Sequence, residues 1–120
     1  MLHKLLINDI TGICSITIKG KVDFDESNKL AELIITVTNQ NELIGFIINL
    51  NECTVEVSLF DLYNLIHYND DLKLDQLKFA LVSKKDNHIH NMISELCIKN
   101  GWNLYSFEDE YEGIDWMINS

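Results

Sequence analysis

The sequence predicts a small α/β domain, and two observations predict it. The first is one helical spacing used three times. Leu30, Leu33, Ile34 and Val37 fall at i, i+3, i+4 and i+7, as do Leu59, Leu62, Tyr63 and Ile66, and again Ile89, Met92, Ile93 and Leu96. Apolar residues so spaced line one stripe of an α-helix. The second is the pair of unbroken apolar runs between the stripes, Leu43-Ile44-Gly45-Phe46-Ile47-Ile48 and Phe79-Ala80-Leu81-Val82. Runs of this kind are strands covered on both faces, as in a parallel sheet.

The elements follow in order. A strand over residues 4–9 turns at Thr11-Gly12 into a second strand over 13–19. There Cys14, Ile16 and Ile18 alternate with Ser15, Thr17 and Lys19. Alternation marks a half-exposed strand, here paired antiparallel with the first. Gly20-Lys21-Val22-Asp23 turns the chain into a helix over 25–38, with Asp23 or Asp25 as its cap. A strand over 43–50 leads to a helix over 58–68, opened by Ser58 with Asp61 three residues on, a pair like a capping box. A strand over 78–83 precedes a helix opened by Asp86 or Asn87 and closed by Asn100-Gly101, a left-handed stop. A strand over 103–107 and a helix over 109–118 complete the chain. The expected architecture is a five-stranded mixed sheet with about four helices, the apolar strands in its interior. Phe46, Ile48, Leu81, Leu33, Ile93 and Leu62 are its expected core.

Length and composition bound the function. A chain of 120 residues has room for one core, and no linker divides it, so residues 1–120 read as one domain. At 47% apolar it folds rather than remaining disordered. No apolar run approaches the roughly 20 residues that span a bilayer. The first residues lack a small-residue cleavage site and read as a strand, so the expected location is the cytoplasm. Net charge is −10. Nucleic acid and an anionic membrane surface are therefore not expected partners, since both need a basic face.

Candidate chemistry is sparse. On a helix, His88 and His90 point about 200° apart, so with Asp86 they form no metal site and read as solvated helix-start histidines. Neither a G-x-S-x-G nor a phosphate-cradling glycine cluster is present. Carboxylates Glu108, Asp109, Glu110 and Glu112 open the last helix, where they complement its dipole. A response-regulator phosphoacceptor would need an aspartate where the central strand ends Asn49-Leu50-Asn51-Glu52. Three widely spaced cysteines make no disulfide framework. Cys14 and Cys97 lie on apolar faces and read as buried. Cys53, expected in the loop after a strand, is the candidate reactive thiol. Neither metal nor cofactor is expected, and the chain reads as a non-enzyme.

The order of elements resembles the SpoIIAA-like fold of the STAS superfamily, which includes anti-sigma-factor antagonists and sulphate-transporter tails. The hairpin, the helix-strand alternation and the step from the third strand into Ser58 carry the resemblance. The C-terminal half resembles small bacterial STAS/SEC14-like proteins: Phe79-Ala80-Leu81-Val82, a helix, Leu104-Tyr105-Ser106-Phe107, an acidic step and Ile114-Asp115-Trp116-Met117. The resemblance implies a regulatory, protein-interaction module. In the antagonists a partner kinase phosphorylates a serine in an Asp-Ser-Ser-Gly-like loop after the third strand. The matching stretch is Glu56-Val57-Ser58-Leu59-Phe60, with Val57 in place of the aspartate and Phe60 in place of the glycine. Ser58 is thus the candidate phosphorylation site, and Glu56, Leu59, Phe60 and Tyr63 are candidate interaction residues. The SEC14-like relatives imply the alternative, a carrier of a small apolar ligand, and an enzyme using Cys53 is the third reading. A homodimer is also expected, with Phe60, Tyr63, Tyr105 and Trp116 left over as an apolar surface.

Overall fold

The structure is a computed structural model that describes residues 2–58, 61 and 76–119. Its described elements are β1 (Leu2–Asn8), β2 (Ile13–Val22), α1 (Phe24–Gln40), β3 (Gly45–Val55), β4 (Lys78–Val82), α2 (His88–Lys99), β5 (Asn103–Phe107) and α3 (Glu110–Asn119). The helix expected over 58–68, and with it Leu62, lies outside the described residues.

The five strands form one sheet in the order β1-β2-β3-β4-β5. As expected, β1 and β2 run antiparallel, the remaining pairs are parallel, and the apolar strands β3 and β4 are interior. Strand order that never reverses steps each crossover the same way and sends its helix to the same face. Accordingly α1 and α2 both pack on one face, Ile34, Val37 and Cys97 meeting Ile16, Phe46, Ile48, Phe79 and Leu81. Helix α3 covers the other, where Met117 meets Ile13, Ile47, Ala80 and Val82. The runs of β3 and β4, apolar at consecutive positions, need cover on this second face as well. Helix α3 supplies it, and Ile47 and Ala80 are fully buried there.

Strand β3 extends to Val55, five residues past its expected end. Polar Asn51-Glu52 looked like a stop. A bulge explains the difference: Thr17 faces Asn49 and Lys19 faces Glu52, so Leu50 and Asn51 together oppose Ile18. One extra residue reverses the alternation. Phe46, Ile48 and Leu50 face the core before it, and Cys53 and Val55 after it. Asn49 pins the bulge, its Oδ1 accepting from the N–H of Asn51 at 3.0 Å and its Nδ2 donating to Glu110 at 3.0 Å. Strand β2 likewise continues through Gly20 to Val22, residues expected to turn, because Lys19 and Gly20 stay paired with Glu52 and Cys53.

Helix ends follow local chemistry. Asp23 Oδ1 accepts from the N–H of Glu26, Asn87 Oδ1 from that of His90 and Asp109 Oδ1 from that of Glu112, at 2.9, 3.0 and 2.9 Å. At the end of α2, Gly101 takes φ +90°, Trp102 N–H donates to Cys97 O and Gly101 N–H to Ile98 O. This is a Schellman stop.

Two helical residues expected in the core lie partly out of it. Leu33 and Ile93 touch the core but are only half-buried. In α2 the buried line is His90, Ser94 and Cys97, whereas Ile89 and Met92 of the apolar stripe are exposed. None of the described helices is long and apolar enough to cross a membrane.

Candidate functional site

Strands β2 and β3 run on together past the end of β4, and that extension holds Ser58. Val22 pairs with Val55, and the N–H of Glu56 donates to Val22 O at 2.8 Å. Lys19–Glu52 and Lys21–Glu56 ion pairs, at 3.4 and 3.5 Å, cross the same two strands at the surface. Surface pairs of this kind contribute little; the backbone pairing and Val57, packed against the core, fix the path of the loop. Ser58 follows, exposed at the carboxyl end of the central strand, and its Oγ accepts from the N–H of Asp61 at 3.1 Å. That is the expected cap geometry. Leu59, Phe60 and Tyr63 lie outside the described residues.

Cys53 lies within β3 and not in a loop after it, and its side chain faces the core at 8% exposure. Burial pushes its thiol up to about 11. At neutral pH the thiolate that nucleophilic chemistry needs is scarce. Burial also raises Cys14 to about 11 and Cys97 to about 12, and all three cysteines are free.

Sequence reasoning missed a polar cluster between α2 and the ends of β4 and β5. His90, expected in solvent, is 2% exposed, and its Nδ1 is hydrogen-bonded to Ser83 Oγ at 2.5 Å. Ser106 Oγ donates to Ser94 Oγ at 3.0 Å one turn along the helix. The helix rotates to bring His90 inward because Ser83, after the last residue of β4, supplies its partner. The spacing His90-x3-Ser94-x2-Cys97 was the available signal, but it is not apolar. Ser83 and His90 are both sealed from solvent, which suits a buckle joining strand to helix rather than a nucleophile and base. His88 stays exposed, and among the described residues no group of three side chains converges to hold a metal.

Desolvation lowers the pKa of His90 below its ordinary 6.5. The unfolded chain therefore binds a proton at this position before the folded one does. His90 contributes its full stability above pH 6.5 and loses it as pH falls through and below that value. The melting temperature is expected to fall over that window, with the His90 ring titrating below 6.5 by NMR. A ring titrating at or above 6.5 would contradict the burial.

The order of strands, the antiparallel hairpin and the exposed serine after the central strand invite comparison with known structures. A protein of the DUF3478 family from Shewanella loihica, described as having a SpoIIAA-like fold, superposes with a TM-score of 0.66 at 13% identity, over 97% of this chain and 92% of that one. The chain has a SpoIIAA-like fold. The anti-sigma factor antagonist SpoIIAA in its unphosphorylated form matches with a TM-score of 0.66 at 13% identity, over 99% of this chain and 100% of that one. SpoIIAA of Bacillus in its phosphorylated form matches with a TM-score of 0.62 at 14% identity, over 96% and 98%. No family model matches the chain, and no curated protein matches it by sequence. Identities this low fix the fold and leave the function to the residues.

Proposed function

We propose that the chain is a non-enzymatic regulatory module of STAS type that docks a protein partner through the loop carrying Ser58. One observation carries the reading. In this SpoIIAA-like fold Ser58 follows the central strand and is exposed, the backbone before it is held by β2, and its own Oγ accepts from the N–H of Asp61. A docking element needs this combination of a rigid base and an open side chain. The two forms of SpoIIAA, phosphorylated and unphosphorylated, support Ser58 as a modification site. A phosphate added there would lie beside a backbone N–H of the kind that capping serines serve, where negative charge is tolerated.

Phosphopeptide mapping of the protein from its native cells tests the modification, with Ser58 as the expected site. Replacing Ser58 by alanine is expected to lower stability by about 0.5–2 kcal/mol through loss of the cap, read by urea denaturation. Ser58→Asp keeps an acceptor and is expected to retain most of that stability while weakening capture of the partner. A stable Ser58→Asp variant that captures the same partner as well as the parent would remove the loop from the interface. A native mass spectrum carrying a bound apolar molecule would move the assignment to a carrier. Besides such a partner, a second copy of the chain is proposed as a binding partner.

A further inference from the structure

Among the described residues, β1 and β5 are the edge strands of the sheet, and no described strand pairs along the outer side of either. An edge strand offers unpaired N–H and C=O groups along its outer side, and proteins blunt such edges with proline, bulges or several charges. Strand β1 has a single one of these devices, the charge of Lys4. The chain contains no proline, and seven consecutive pairs join β1 to β2 without a break in register. Its sequence, Leu-His-Lys-Leu-Leu-Ile-Asn, has one lysine and no carboxylate in a chain of net charge −10. The β5 edge is shorter and leads directly into Glu108, Asp109, Glu110 and Glu112. Asp109 already holds the Glu112 carboxyl above the usual range, by a side-chain hydrogen bond first and by its charge second. Two acidic copies therefore meet with least repulsion along β1.

The side chains of β1 fit the same partner. Leu5 and Ile7 face the core and are half-buried. Leu6 points to the other face, beside Ser15, where α3 does not reach, and is 59% exposed. We propose that β1 is a self-pairing edge, with two copies joined antiparallel about a twofold axis at Leu5 into one continuous sheet. A twofold axis normal to the sheet keeps each face on its own side. In this register Leu5 opposes Leu5 of the partner subunit, and Leu6 opposes Lys4 of the partner subunit. Like charges never meet, Leu6 lies against an aliphatic lysine stem, and the half-buried Leu5 and Ile7 continue the core across the axis. The proposal does not depend on the Ser58 loop.

Sedimentation from low to high micromolar concentration tests it with two substitutions at one exposed position. The wild type is expected to dimerise reversibly. Leu6→Lys sets a lysine opposite Lys4 of the partner subunit at two symmetric places and is expected to weaken the dimer by about tenfold or more, with recovery in high salt. Leu6→Glu sets a carboxylate opposite the same lysine and is expected to preserve the dimer. Because Leu6 is exposed, both variants should melt like the parent at concentrations where all three are monomeric. Hydrogen exchange supplies a readout free of substitution: outer amides of β1 should gain protection as concentration rises. A wild type that stays monomeric overturns the proposal. So does a dimer indifferent to Leu6→Lys, one weakened equally by both substitutions, or one that leaves β1 amides unprotected.

Discussion

Replacing Phe46 by alanine is expected to cost about 3–5 kcal/mol, a large part of the roughly 5–15 kcal/mol that holds a domain of this kind folded. Phe46 is fully buried on the central strand, its ring stacked on Phe79 with centroids 5.6 Å apart. Phe79 in turn meets Trp102 at 4.8 Å, so the three rings form a continuous layer from β3 to the residue beyond α2. Neighbours on both sides are held by strand pairing and cannot collapse into the space a truncation leaves. Much of the cost is therefore the cavity itself and the dispersion attraction that its lining forfeits. Urea denaturation gives the measurement, and a loss below about 1 kcal/mol would mean that the layer is not packed as described. Leu33→Ala, at a half-buried position on the same core, is expected to cost less than Phe46→Ala.

Gly45→Ala is expected to be nearly as damaging, by about 3 kcal/mol, although it adds a single methyl group. A Cβ at Gly45 would stand 2.2 Å from the carbonyl oxygen of Lys78 and 2.8 Å from the sulfur of Met117. The methionine can move, but the carbonyl belongs to the backbone at the start of β4, so the strand itself must shift. That end is tied: the N–H of Lys78 donates to Ile44 O at 3.0 Å, and its Nζ donates to Met117 O at 3.0 Å. Gly113 offers a comparison. A Cβ there would lie 2.9 Å from the Ala80 Cβ and 3.2 Å from Ile47 Cδ1, so α3 sits close on the sheet. Alanine is the better helix former by about 1 kcal/mol, which offsets part of the crowding at Gly113. Gly45, in a strand, gains a similar offset of about 0.5–1 kcal/mol, but its clash is with backbone and is much closer, so the milder loss should be at Gly113. Gly45→Ala melting like the parent would show that β3 and β4 approach less closely than described.

Much of the fold was legible because its signals are local. Strand β5 lies where its residues predicted it, and Asp23, Asn87 and Gly101 end their helices by chemistry confined to a few residues. The apolar runs of β3 and β4 announced interior strands, since only burial on both faces tolerates consecutive large aliphatic residues. Ser58 was legible as a cap for the same local reason. His90 was not. A histidine two residues from another at a helix start carries no mark of burial, and only the approach of Ser83 from a different element makes the interior acceptable to it. Cys53 was misplaced because the bulge at Leu50-Asn51 shifts the alternation by one residue. A period-two reading takes Asn51-Glu52 for the end of the strand.

By itself the sequence determined the class of each described element, the antiparallel hairpin, the interior position of β3 and β4, the Asn100-Gly101 stop of α2, and, to within two candidates each, the caps that open α1 and α2. Each rests on periodicity or on hydrogen bonds that close within a few residues. Tertiary structure decided which face each described helix covers, the rotation of α2 that buries His90, the bulge that turns Cys53 inward and the place of β1 at the edge of the sheet. Those outcomes depend on surfaces meeting from distant parts of the chain. Their free energies come from burial and pairing, which exist only once the sheet has assembled.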